Sequence, residues 1–430
     1  MTGQTYRLKD ICSIKSGKRI PLGMDFTTEI TNYPYIRARD IKGGKIQTDD
    51  LIYIDEIVFN KIKKYIIKSG DIAITIVGAS VGDVAYAQEE IDGFNLTENA
   101  VRLTEFNSIV DGKYLFYVLN QEQYHEYMQT VAGGAAQPKL GIYKVERIKV
   151  FLPPLNIQKE IASILTAYDN LIENNNKRIH LLEQMAENLY KEWFVRFRFP
   201  GHEKTEFVAS KLGKIPSSFS VTNMGDVFED YIGGGWGNDE ESEEFPISAS
   251  VIRGADFPGV WNFDVSTCPK RFHKKSNYKS RQLQDGDIVM EISGGTSEQP
   301  VGRTVLLTQD LIDRFEGGRV ICASFCKMIR LNKEKISPYF FYFWMHYLYD
   351  TRIIDRFQLQ STGIINFKFE PFLKKGLVML PSKDVMQSFD KHIIPLFKVI
   401  NQLAIQNETL SRQRDLLLPR LMSGKLEVNF

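Results

Sequence analysis

The 430-residue sequence has only four cysteines, Cys12, Cys268, Cys322 and Cys326, too few and too scattered for a disulfide framework. Only Cys322 and Cys326 are close together, and no histidine lies near enough in sequence to complete a metal-ligand spacing, so no metal site is expected. The six histidines are dispersed, and none falls in a nucleophile or zinc motif. No apolar run approaches the ~18 residues of a membrane span, which excludes a membrane-spanning helix. The opening MTGQTYRLKD lacks the charged-then-apolar build of a signal peptide, so the expected location is the cytoplasm. An excess of either charge is missing too. Residues 1–150 carry 19 Lys+Arg against 19 Asp+Glu, and residues 201–380 carry 22 against 23. Net charge therefore gives no argument for a nucleic-acid partner, and any such argument must come from elsewhere.

Catalytic motifs are equally scarce. An adenine methyltransferase would show Asn/Asp-Pro-Pro-Tyr/Phe, whereas the nearest run, Asn32-Tyr33-Pro34-Tyr35, lacks the first proline and reads as the start of a strand. GGGWG at Gly233 to Gly237 does not match GxGxxG and reads as a flexible hairpin or a DNA-facing loop. Ser16-Gly17-Lys18-Arg19 imitates the end of a phosphate-binding loop, yet Cys12 stands where its first glycine belongs and no hydroxyl residue follows Lys18. No catalytic, cofactor-binding or metal-binding residue is assigned to this chain.

What is present is a duplication. The composition, 43% apolar and 25% charged, is that of a soluble globular protein, and the length suggests two or three domains. Asp10-Ile11 and Asp226-Val227 differ by 216 in position, as do Gly70-Asp71-Ile72 and Gly286-Asp287-Ile288. Both triplets open β-rich runs, IAITIV and IVMEI, behind turn-forming Gly and Asp. KYLFYVL from Lys113 then matches PYFFYFW from Pro338, and Leu152-Pro153 matches Leu380-Pro381. The order is kept while the offset grows, as expected of two copies of one domain with lengthened loops. The period is far beyond the 20–50 residues of solenoid repeats.

Each copy ends in a proline strap and a long helical pattern. LPPLNIQKEIASIL begins at Leu152, and the weaker LPSKDVMQSFDKHI begins at Leu380. Leu165, Tyr168, Ile172, Asn175, Ile179, Leu182, Ala186, Leu189 and Trp193 follow the alternating three-four spacing of a coiled-coil seam. The second copy repeats it with Ile393, Leu396, Ile400, Leu403, Asn407, Leu410, Arg414, Leu417 and Leu421. So narrow a stripe needs one long partner, so the two helices are expected to pack on each other, with Asn175 and Asn407 fixing register; the alternative is that each packs on its own domain. Pro153 and Pro154 cannot lie inside the helix and stiffen its approach. Pro395 should kink the second helix or mark its true start, and Pro419 suggests a break near its end. The expected division is a first domain at 1–152, a long helix at 153–198, a linker at 199–220, a second domain at 221–380 and a second long helix at 381–430.

Nearly the whole chain resembles the specificity subunit of type I restriction-modification enzymes. The resemblance is carried by LPPLNIQKEIASILTAYDNLIENNNKRIHLLEQM, by WFVRFRFPGHE from Trp193, by LGKIPSSF from Leu212 and by the closing RQRDLLLPRLMSGKLEV. It implies an α+β fold, with two similar target recognition domains separated by two conserved helices packed as an antiparallel coiled coil. It further implies that each domain reads one half of a split sequence on double-stranded DNA. Partner modification subunits would carry S-adenosylmethionine, and restriction subunits would use ATP and magnesium. No cofactor is expected on the chain itself. Two other readings are a self-contained methyltransferase or nuclease, disfavoured by the missing motifs, and a coiled-coil adaptor without sequence preference.

Candidate DNA contacts follow from residue type and place. Lys270, Arg271, Lys274, Lys275, Lys279 and Arg281 fall within twelve residues without an acid, and Lys61, Lys63, Lys64 and Lys68 form a smaller group. Both precede the Gly-Asp-Ile strands, which points to phosphate contact. Lys15, Lys18 and Arg19 follow the first strand, and Arg37 and Arg39 lie on an alternating run that reads as exposed. For base reading, Gln137 and Lys139 sit in a glycine-rich loop, with Gln360, Thr362 and Asn366 in its counterpart.

Overall fold

The computed structural model describes residues 3–133, 138–296, 299–361, 364–423 and 426, with the backbone alone at 360 and 361. It divides into two compact units, Met1–Leu171 with Leu410–Phe430, and Ile172–Thr409. Strands and helices are mixed throughout, as the α+β expectation requires.

Three sheets recur in both units. In the first, four antiparallel strands lie in the order Ser13–Ser16, Ala100–Thr104, Ile72–Thr75, Val84–Tyr86. In the second the order is Phe228–Gly233, Cys326–Leu331, Ile288–Glu291, Thr304–Leu306. A mixed three-stranded sheet also recurs. Its central strand, Pro34–Ile36 or Ile247–Ile252, has one antiparallel and one parallel neighbour. A two-stranded pair joins the start of each unit's domain to its proline strap, Gln4–Arg7 to Lys149–Leu152 and Ser220–Asn223 to Leu377–Leu380.

The two Gly-Asp-Ile triplets adopt one local structure. Gly70 and Gly286 have φ of +89° and +87°, a left-handed turn that a side chain would strain. Their amides donate to the Ala87 and Leu307 carbonyls at 2.9 and 2.7 Å. The aspartate then folds back, Asp71 accepting from the Lys68 amide at 2.9 Å and Asp287 from the Gln284 amide at 2.7 Å. Each carboxylate is neutralised by an arginine on the neighbouring strand, Arg102 at 2.6 Å and Arg330 at 2.7 Å. The arginines are not register equivalents. Leu103 faces Ile72 and Ile329 faces Ile288, so Arg102 precedes the paired residue while Arg330 follows it.

KYLFYVL and PYFFYFW are corresponding helices, Gly112–Leu119 and Pro338–Asp350, capped by Asp111 and Ser337. Their aromatic and aliphatic side chains supply much of the core, with Tyr114, Leu115, Phe340 and Phe341 at most 1% exposed. His346 on the second helix lies tilted against Tyr342 with ring centres 4.2 Å apart, and burial pushes its pKa down to about 4.

The first long helix is Leu155–Tyr190 and the second Lys383–Met422. Pro153 and Pro154 lie outside the first, and the Pro154 carbonyl accepts from the Ile157 and Gln158 amides. Gln158, fully buried, ties the strap down. Its amide group donates to the Ile109 and Pro153 carbonyls at 2.9 and 2.8 Å, and its oxygen accepts from the Asp111 amide at 3.0 Å.

Every seam position named from the sequence is buried or half-buried on both helices. Within the first unit Leu165 and Leu421 share a core with partly buried Leu417, and Arg414 pairs with Asp169 at 2.7 Å. Within the second, Ile179 shares a core with Ile400 and Leu403. Asn175 contacts Gln406, Asn176 contacts Asn407, and further along Trp193 packs on Phe389. Partner numbers fall as those of the first helix rise, so the pairing is antiparallel, and the helices pack on each other as expected. The polar pair is offset by one residue on each side, so Asn175 and Asn407 do not bond each other. Pro395 does not mark the true start of the second helix, and the break expected near Pro419 is absent, since the helix runs from Lys383 through both prolines. Pro395 and Lys391, whose carbonyl is without its helical donor, are exposed, so that carbonyl is left to water and not to the core.

Four outcomes follow. Asp71→Ala should lower unfolding free energy in urea by about 3–5 kcal/mol, because it strands a buried arginine. Asp287→Ala should cost less, since the Arg330 side chain is 24% exposed against 8% for Arg102. Pro395→Ala should raise the thermal midpoint by restoring a helical hydrogen bond. Because His346 is neutral when folded, its contribution is complete above its ordinary pKa of 6.5 and is lost as pH falls from there towards about 4. His346→Phe should flatten that part of the stability profile.

Candidate nucleic-acid interface

The residues after the first long strand of each sheet are built alike. The Gly17 and Lys18 amides donate to the Ala100 and Leu96 carbonyls at 3.1 and 2.8 Å, and the Gly234 and Gly235 amides donate to the Cys326 and Cys322 carbonyls at 3.0 and 2.9 Å. A Cβ on Gly17 would lie 2.0 Å from the Thr97 oxygen, and one on Gly234 would lie 2.1 Å from the Ala323 oxygen. The glycines permit backbone to close on backbone. The loop read as a flexible hairpin is thus pinned at Gly234 and Gly235.

This crossing brings two candidate groups together in each unit. In the first, the Lys18 ammonium lies 5.8 Å from the ring centre of Tyr65, beside the lysine group at 61–64. Lys15 pairs with Glu105, whose carboxyl the lysine hydrogen bond holds below its ordinary range, and Arg19 bonds Glu98 at 2.6 Å. Lys61, Lys63 and Lys64 are exposed on and just beyond the helix Glu56–Ile62, with Lys61 near the Met24 sulfur and Lys63 near Asn60. Arg37 and Arg39 do not form an alternating exposed strand. Arg37 caps a short 3-10 turn through paired bonds to Asp40, at 3.0 and 2.8 Å, and its side chain is 20% exposed. Arg39 is outward and pairs with Asp50 at 2.6 Å.

In the second unit the basic strand Lys270–His273 meets the loop after the glycines. The Arg271 guanidinium lies 4.7 Å from the ring centre of Trp236, bonds its carbonyl at 3.3 Å and pairs with Asp239. Asn238 and Phe272 exchange backbone hydrogen bonds at 2.8 and 3.0 Å. Lys274 pairs with Glu244 and lies over Phe245, while Lys270 pairs with Glu316. Lys275 is exposed at the start of the helix Lys275–Arg281, and Arg281 closes the turn by donating to the Gly233 carbonyl at 2.9 Å. Trp236 and the acidic run Asn238–Glu244 were missed from sequence, although NDEESEE was itself visible as a charge run.

The base-reading candidates are placed unevenly. Gln137 and Thr362 lie outside the described residues, and only the backbone of Gln360 is described, in the strand Gln358–Ser361. Lys139 is exposed, its backbone bridged to Val77. Asn366 lies in the adjoining strand Ile364–Phe367, where its oxygen accepts from the Ser293 hydroxyl at 2.6 Å. Leu359 and Ile364, 51% and 49% exposed, lie on the same hairpin. Among the described residues no group of three or more His, Cys, Asp or Glu side chains is arranged to hold a metal ion. The four cysteines are buried and unpaired with one another, and burial pushes the Cys12, Cys268 and Cys322 thiols up to about 12, which makes them poor nucleophiles. No helix is long and apolar enough to cross a membrane among the described residues.

Comparison with known proteins is consistent with this architecture. The family model described as the type I restriction modification DNA specificity domain matches residues 2–184. The chain is 24% identical over 434 residues to the type I restriction enzyme MjaVIII specificity subunit of Methanocaldococcus jannaschii, covering 99% of this chain and 93% of that one. It is 22% identical over 472 residues to the HindI specificity subunit of Haemophilus influenzae, covering 98% and 99%. Among solved structures, the S subunit of a type I restriction-modification system from M. genitalium shares the fold, with a TM-score of 0.56 and 15% identity over 98% of this chain and 96% of that one. With a duplicated α+β domain and two paired long helices, the chain is similar from end to end to type I restriction-modification specificity subunits, and its residues 2–184 match the DNA specificity domain of that family.

Proposed function

We propose that each unit reads one half of a bipartite sequence on double-stranded DNA, and that the chain directs methylation or cleavage carried out by partner subunits without doing chemistry itself. The observation that carries this reading is the repetition of one sheet set and one glycine crossing in both units, each bringing a basic segment to the loop after its first strand. Two copies of a reader suit a target of two half-sites. The modification subunits would supply S-adenosylmethionine, and the restriction subunits ATP and magnesium.

Lys63, Lys64 and Lys275 are outward cations suited to phosphate, while Asn366 and, on its sequence alone, Gln137 are the candidates for base contact. The acidic run Asn238–Glu244 opposes this in the second unit, since Asp239 and Glu244 occupy the cations on the neighbouring strand. DNA must displace those carboxylates before Arg271 and Lys274 meet phosphate.

Methylated adenines mapped across the genome with and without this gene should reveal a split motif that vanishes on deletion; an unchanged methylation pattern would reject the reading. In the assembled complex, Lys63→Ala with Lys64→Ala should reduce the salt-dependence slope of DNA binding by ~0.9 for each phosphate no longer neutralised. Asp239→Asn with Glu244→Gln should tighten binding several-fold and steepen that slope, measured by fluorescence anisotropy over a salt series.

A further inference from the structure

The second unit has a partly open cavity of about 330 Å³ that the proposed DNA reading does not use. Aromatic rings from several elements line it: Trp261, Tyr342, Phe343, His346 and Phe397. Trp261 is fixed by its indole N–H donating to the Thr304 carbonyl at 2.9 Å, and the His346 ring stands 5.9 Å from it, edge to face.

The charges in this lining do not balance. Glu183, Glu187 and Asp350 all border the cavity. Glu187 pairs with Lys191 at 3.4 Å, but among the described residues neither Glu183 nor Asp350 has an ion-pair partner. Burial holds both of these carboxyl groups above their ordinary range, against the opposing pull of His180 on Glu183 and of Lys191 on Asp350. The two basic groups in the wall do not supply a counter-charge. Arg303 is committed to Glu291 through paired bonds of 2.8 and 2.9 Å. His346 Nε2 faces the Thr304 carbonyl at 3.3 Å and therefore donates to it, and the ring is neutral at pH 7.

An alkylammonium group answers both features, since it is attracted to aromatic faces and can pair with half-buried Glu183 and with Glu187 and Asp350, which are exposed. A neutral ligand satisfies only the apolar part, and an anion is repelled. We infer that this cavity is a binding site for an organic cation of the alkylammonium type, presented either by a free polyamine or by a lysine side chain of a partner subunit. The site does not depend on the DNA reading and stands or falls separately from it.

The test titrates the full-length chain with n-butylammonium and with n-pentanol, a neutral molecule of similar size, following tryptophan fluorescence and the thermal midpoint. A saturable response to the amine and not to the alcohol is expected. The fluorescence part should be lost in Trp261→Phe, and the affinity should be about tenfold weaker in Glu183→Gln with Asp350→Asn. Glu183→Gln alone serves if the double variant is unstable. No saturable response, an equal response to the alcohol, or an unchanged affinity in the carboxamide variants would overturn the inference. The source is separated by repeating the titration on the complex with modification subunits. A cavity already filled by a partner lysine gives no response there, and the amine then weakens assembly; a polyamine site responds as in the free chain.

Discussion

A narrow apolar stripe on a long helix is stable in water only when another stripe covers it, and this constraint organises both units. Leu165 is covered with the help of Leu417 and Leu421 in the first unit, and Ile179 with the help of Ile400 and Leu403 in the second. Each unit therefore takes a segment from both helices, the first assembled from two separate stretches of chain and the second from the single stretch Ile172–Thr409. The first unit is completed only by Leu410–Phe430, so the last segment of the chain closes the core begun by the first. The Arg414–Asp169 pair, together with the Asp169 bond from Tyr117, adds a polar tie between the second helix and the domain beside it.

The two copies agree in backbone geometry more closely than in residues. Their sheets have the same strand order, and their turn glycines share left-handed φ values. The aspartate of Gly-Asp-Ile is neutralised in both copies, yet by arginines on opposite sides of the register position. An arginine side chain is long enough to reach one carboxylate from either place, so the ion pair persists while the position that supplies it moves. Gly17 and Gly234 show the converse. Nothing but hydrogen fits where two backbones touch, so the position stays glycine even though one copy continues with Lys-Arg and the other with Gly-Trp.

Electrostatics differ between the copies in a way their balanced totals hide. In the first, Lys61, Lys63 and Lys64 are exposed, Lys61 near the Met24 sulfur and Lys63 near Asn60. In the second, a larger basic cluster is met by the chain's own carboxylates from Asp239, Glu244 and Glu316. A charge census counts these as mutually cancelling, and in the folded unit they do so by direct pairing.

The sequence by itself determined the duplication, the two long helices, their seam and the straps that begin them, because helical period, turn residues and proline are local signals that backbone geometry enforces. Both seams were legible residue by residue, from Leu165 to Trp193 and from Ile393 to Leu421. Tertiary structure decided what depends on distant partners. Pro395 was tolerated because its face of the helix is solvated, Arg37 was drawn inward by Asp40, the glycine loop was pinned by carbonyls about ninety residues away, and the acidic run was placed against the basic strand. Each is set by which surfaces meet after folding, and residue spacing along the chain carries no record of that.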